Sequence, residues 1–74
     1  MIRKRSVVLN GHATSVSLED EYWTELKRMA DEEEIALAQL IERIDAGRRS
    51  DNLSSTLRLA VLSNLKARAG SPTE

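Results

Sequence analysis

The chain of 74 residues has no cysteine, one histidine and one proline. Disulfides and thiolate metal sites are therefore excluded, and a single histidine among scattered carboxylates makes no metal-ligand cluster. The lack of cysteine is compatible with the cytosol. No apolar run approaches the ~20 residues of a membrane span, and Met1-Ile2-Arg3-Lys4-Arg5 is not followed by the apolar core of a signal peptide. There is no nucleophile–base pair and no glycine-rich phosphate loop, and His12 has no Ser or Asp arrangement to work with, so neither an enzyme nor a bound cofactor is expected. A domain this short buries only about 60% of its unfolded surface. With disulfides and metals excluded, a partner subunit is the remaining source of stability.

The net charge is −1, but the charge is unevenly spread. Residues 1–18 carry Arg3, Lys4 and Arg5 and no acid; residues 19–34 carry eight acids against Lys27 and Arg28. Bases exceed acids again in the last half. Patches of this kind, not the net sum, steer partners.

The rest of the chain is organised around His12 to Met29. Thr14, Val16 and Leu18 alternate with Ala13, Ser15 and Ser17, the period-two pattern of a half-buried strand. At Glu19 the period changes. Tyr22, Trp23, Leu26, Met29 and Ala30 recur at three- and four-residue steps, one face of a helix over 19–34, with Trp23 in the core. Glu19, Asp20 and Glu21 suit the first turn of that helix electrostatically. A lone strand leaves both of its backbone edges unpaired, so its partner is expected from a second copy of the chain. Val7-Val8-Leu9 before the turn signal Asn10-Gly11 would allow a hairpin. That is the weaker option, because the run is too short to shield a sheet. Residues 1–11 are accordingly read as a basic arm.

Asp31-Glu32-Glu33-Glu34 runs on without Gly, Pro or a capping Ser. Leu37, Leu40, Ile41 and Ile44 continue at helical spacing. One helix over 19–46 would be roughly 40 Å long, too long for a small domain, so a break is expected near Glu33 to Ala36. Residues 47–52 read as a linker, with Gly47 closing a helix. The last helix follows, with Ser54 as its N-cap. It carries a stripe of Leu57, Ala60, Val61 and Leu65, with Leu59 and Leu62 off the stripe. A helix apolar on more than one face is buried on more than one side. Residues 70–74 are expected to be a disordered tail.

Thr14-Ser15-Val16-Ser17-Leu18-Glu19, followed by Tyr22-Trp23, Leu26 and Met29-Ala30, resembles the start of a ribbon-helix-helix domain. Asn52-Leu53-Ser54-Ser55-Thr56-Leu57-Arg58, with Leu59 to Leu62 after it, resembles the second core helix of that fold. With Leu40 to Asp45 between them, the pattern is similar to a bacterial subfamily that has an extra helix between the two core helices. The resemblance spans about residues 3 to 66. It implies a mainly α fold with one short β-strand, the domain running over 12–69. Two chains would form an intertwined homodimer around a two-stranded intermolecular antiparallel ribbon.

The resemblance further implies a cytoplasmic, nucleoid-associated DNA-binding transcriptional regulator of the repressor type, its ribbon in the major groove of double-stranded DNA. The outward strand residues map to Ala13, Ser15 and Ser17. The N-terminus of the second core helix, at Ser54 and Ser55, would face a phosphate. Arg3, Lys4 and Arg5 would tether further phosphates. DNA-binding relatives often carry Arg, Lys, Asn or Gln on the outward strand face, and a glycine after the first helix; this chain has neither. The alternative is a dimeric protein–protein adaptor or antitoxin-like module on the same fold.

Overall fold

Asn10 and Gly11 organise the N-terminal half. Both take positive φ, +53° and +81°, the backbone of a tight two-residue hairpin turn, which Asn and Gly adopt at least cost. In the computed structural model, which describes residues 1–47 and 52–69, this turn folds strand β1 (Ile2–Leu9) back on strand β2 (His12–Glu19). The antiparallel register runs from Leu9 opposite His12 to Ile2 opposite Glu19.

The expectations of a single strand and of a free basic arm before residue 12 are therefore corrected. Two strands are present, and the one paired with β2 belongs to the same chain. The alternation in β1 was hidden because two of its inward positions are arginines. Arg3 and Arg5 share a face with Val7 and Leu9, and a partner replaces apolar burial for them. Arg5 lies 2.8 Å from Asp20 Oδ1, with its guanidinium 4.8 Å from the centre of the Trp23 ring; Arg3 lies 3.8 Å from the same carboxylate.

Helix α1 (Asp20–Glu33) begins directly after β2. It buries Leu26, Met29 and Ala30, the i, i+3, i+4 line of one helix face. Trp23 is only partly buried, which corrects its assignment to the core interior. It sits at the margin of the core, where the cover over its ring is Arg5.

The break after α1 falls where length demanded one, and Glu34 takes the left-handed conformation at φ +57°. The N–H of Ile35 bonds to the carbonyl of Ala30 and that of Glu34 to Asp31, both at 3.0 Å. These are the paired bonds of a Schellman ending, here built without the usual glycine. Helix α2 (Leu37–Ala46) follows. Gln39 Oε1 accepts from the N–H of Ala36 at 2.9 Å, half of a capping box, since alanine has no acceptor to return. Arg43 grips both carboxylate oxygens of Glu33 at 2.6 Å, tying α2 back to α1. The N–H of Asn10 donates to Glu42 at 2.8 Å, which fastens the hairpin turn to α2.

Helix α3 (Leu53–Ala69) closes the fold. Its N-cap is Asn52, not Ser54. Asn52 Oδ1 accepts from the Ser55 N–H, and its carbonyl accepts the first helical bond, from Thr56, each at 3.1 Å. Residues 48–51, most of the expected linker, and the expected tail over 70–74 lie outside the described residues.

The core gathers Leu9, Val16 and Leu18 from the hairpin, Leu26, Met29 and Ala30 from α1, Leu40 and Ile41 from α2, and Leu57 and Val61 from α3. Each large aliphatic side chain fully removed from water here contributes roughly 1.5–3 kcal/mol. The other side of α3 has no cover within the chain. Leu59 and Leu62 are 65 and 49% exposed, so the last helix is apolar on two faces and buries one.

Candidate nucleic-acid interface

The hairpin register assigns every strand residue to a face. Val16 and Leu18 are buried, while Ala13, Ser15 and Ser17 are all exposed. The alternation predicted for this stretch thus holds, and the three outward positions share one surface. Lys4, Ser6 and Val8 of β1 are exposed too, and they lie directly opposite Ser17, Ser15 and Ala13. The outer face therefore holds four cross-strand pairs: Ile2 with Glu19, Lys4 with Ser17, Ser6 with Ser15, and Val8 with Ala13. Ser6 and Val8 were missed in the sequence. The signal that finds them is Asn10-Gly11 itself, because a two-residue turn mirrors positions 13 and 15 onto 8 and 6.

Backbone direction follows from the same register. The Ser17 N–H donates to Ser54 Oγ at 3.2 Å, so it points away from β1. Antiparallel pairing alternates, and the N–H and C=O groups of Ala13 and Ser15 must point the same way. β2 therefore has one ladder edge filled by β1 and one edge that is open at Ala13 and Ser15 and closed at Ser17 by the Ser54 hydroxyl. The first turn of α3 stands beside that open edge. Together they bound a cleft of about 610 Å³ whose walls include Thr14, Ser15, Leu53 and Ser54.

The expected site residues separate into two groups. Ala13, Ser15, Ser17 and Lys4 share one face, and Ser54 is brought to its edge by the contact with Ser17. Arg3 and Arg5 are on the opposite face of the hairpin, held by Asp20. Ser55 is close by in sequence, but its N–H is taken by Asn52.

The carboxylates at the base of the ribbon are neutralised. Glu19 binds Arg58 at 2.9 Å. Its carboxyl is held below the ordinary value by a hydrogen bond from its own backbone and then by Arg58. Asp20 is shared by Arg3 and Arg5. Lys4 makes no ion pair among the described residues, so the outer face presents one unopposed positive charge on a small, hydroxyl-rich surface. Serine hydroxyls can donate to or accept from base edges and phosphates. Among the described residues no group of His, Cys, Asp or Glu could hold a metal ion.

A two-stranded ribbon with one face in solvent is carried on three helices. The model of the ribbon-helix-helix domain matches residues 2–65, and the chain belongs to the ribbon-helix-helix family. That family is one of DNA-binding regulators and antitoxin-type domains, and its fold is characteristically non-enzymatic. No curated protein and no solved structure matches the chain. No helix among the described residues is long and apolar enough to cross a membrane.

Proposed function

We propose that this protein is a homodimeric DNA-binding transcriptional regulator of the repressor type. The observation that carries the proposal is the open edge of β2. Its outward N–H and C=O groups lie on the same short chain as the uncovered leucines of α3. Two copies related by a twofold axis at Ser15 would satisfy both: the β2 strands pair across the axis, with the Ser54 hydroxyl giving up the Ser17 N–H, and the α3 helices cover each other's exposed side. An unpaired edge and an exposed apolar face are each a liability for a lone chain.

The same dimer presents Ser15 and Ser17 of both chains at its centre, with Lys4 beside them. Affinity for DNA then comes from a few phosphates. Arg3 and Arg5 are occupied by Asp20, which leaves one unopposed lysine per strand pair. Two lysines per dimer correspond to a slope of log K against log salt near −2, at about −0.9 per neutralised phosphate. The test is binding of the full chain to the DNA upstream of its own gene at two salt concentrations, with sedimentation on the same sample. The expected result is a particle of twice the chain mass whose DNA binding weakens as salt rises, and weakens less steeply in Lys4→Ala. A monomer, or a dimer with no salt-dependent DNA binding even at ~50 mM salt, would overturn the proposal.

The second reading, a protein-binding adaptor or antitoxin-type module, draws on the width of the sheet. With β1 on each outer side, the dimer would have four strands. At about 4.8 Å per strand they span roughly 14 Å between outer backbones, against a major groove about 12 Å wide. A dimer that fails the DNA test would belong to this class.

A further inference from the structure

The outer edge of β1 has no backbone partner among the described residues. Lys4, Ser6 and Val8 stand opposite Ser17, Ser15 and Ala13 in the hairpin. The Ser17 N–H leaves the hairpin toward Ser54, so the N–H and C=O groups of Lys4 opposite it also point outward, and alternation carries Ser6 and Val8 with it. No described group donates to or accepts from these backbone groups. We infer that this edge takes an extended, acidic peptide segment as an added antiparallel strand. The inference stands on β1 alone and does not need the dimeric DNA-binding reading.

Donors and acceptors alternate along the edge. A second main chain supplies both in return, whereas a phosphate backbone supplies acceptors only. Charge selects the kind of chain. Arg3, Lys4 and Arg5 share one end of β1, and Asp20 is the one carboxylate among the described residues that meets any of them. Arg5 holds it at 2.8 Å; Arg3 stands off at 3.8 Å with its side chain 61% exposed. Three cations against one anion leave two positive charges in excess. Two β1 edges brought together would double that excess, which is how a lysine on an edge strand prevents self-pairing. The same excess favours a strand that carries carboxylates.

The register then fixes the pattern of the segment. Residues directly opposite each other share a face of the sheet. In an antiparallel strand, the residue opposite Lys4 lies on the outer face and its successor, opposite Arg3, on the inner one. Two consecutive carboxylates therefore reach both cations. Toward the turn, Val8 is 59% exposed and Val7 is partly buried, so the residues opposite them are apolar. Read from its N-terminus, the segment has an apolar pair, two polar residues opposite Ser6 and Arg5, and an acidic pair. A strand docked in this way also neutralises Lys4, the unopposed charge of the outer face.

The test uses the full chain and the end-blocked peptide Thr-Val-Val-Thr-Thr-Glu-Glu-Thr. Exchange of the chain's amides with water is followed by NMR as peptide is added. The amides of Lys4, Ser6 and Val8 should become protected. N-methylation of the peptide's second, fourth and sixth residues removes three donors and should weaken binding roughly 100-fold, at about 1 kcal/mol per bond. Lysine in place of both glutamates should abolish binding to the wild type, and Lys4→Glu should prefer that lysine peptide. Ser6→Pro takes one N–H from the edge and should weaken binding about fivefold; Ser15→Pro should leave it unchanged. No protection at millimolar peptide, or equal binding of the glutamate and lysine peptides by the wild type, overturns the inference. So does protection at Ala13, Ser15 and Ser17 instead, which would put the peptide on β2. Protection of Lys4, Ser6 and Val8 that rises with chain concentration before peptide is added overturns it too, because a second copy would then cover the edge. Each of these results leaves the DNA-binding reading to its own test.

Discussion

Ser15→Pro is a direct probe of the open edge. Ser15 is exposed and lies near the middle of β2, with its N–H turned away from β1. Proline has no N–H, yet at this position the hairpin loses no hydrogen bond and the core loses no side chain. In the proposed dimer the two Ser15 residues exchange two bonds across the axis. Each is worth about 1 kcal/mol net, so the substitution removes about 2 kcal/mol and raises the dimer dissociation constant roughly 30-fold, before any clash of the ring with the opposing strand. Ser6→Pro is the matched control. Ser6 lies directly opposite Ser15, and its N–H faces out from the other edge of the hairpin. Sedimentation equilibrium gives the dissociation constants, and circular dichroism reports whether the secondary structure persists. Ser15→Pro should dissociate the dimer and Ser6→Pro should not. An unchanged constant for Ser15→Pro would refute the reasoning about the edge, and a reversed pattern would move the interface to β1.

Two further predictions concern the scaffold. Glu34→Gly should stabilise the fold, because a left-handed residue with a side chain costs about 1–2 kcal/mol and the added freedom of glycine when unfolded returns about 0.5–1. The expected result is a Tm a few degrees higher by thermal denaturation, and a lower Tm would mean that the Glu34 side chain has an interaction of its own. The Glu33 carboxyl is held below its ordinary value chiefly by its hydrogen bonds from Arg43. A depressed carboxylate stabilises the fold above its unfolded pKa and loses that contribution as pH falls through the folded one. Arg43→Gln should therefore be less stable than wild type at neutral pH, and the gap should close in acid as Glu33 is protonated in both. A gap in denaturant midpoint of the same size at pH ~3 and pH ~7 would contradict the pairing.

What the sequence determined was whatever depends on local spacing. The alternation from Ala13 to Leu18 placed Val16 and Leu18 inside and Ala13, Ser15 and Ser17 outside. The three- and four-residue steps identified the buried line Leu26, Met29 and Ala30. Chain length required a break near Glu34 even though no glycine marks it. The apolar excess of α3 was legible as well, and it persists as leucines that the single chain does not cover.

Only the tertiary structure decided what depends on a distant partner. β1 reads as a frayed basic arm until Asp20 and Trp23 are seen to receive its inward arginines, because an ion-paired, ring-stacked arginine leaves no trace in a hydropathy pattern. Strand alternation sets Arg3 and Arg5 on the face opposite Lys4, where Asp20 meets them. Trp23 fell to the core margin because its cover is a guanidinium from a strand 18 residues earlier in the chain. The cap of α3 moved from Ser54 to Asn52, which left the Ser54 hydroxyl to meet the edge of β2. Local periodicity tells which side of an element is apolar. Which group arrives to cover it, and so which face stays open for a partner, is settled when elements far apart in sequence pack together.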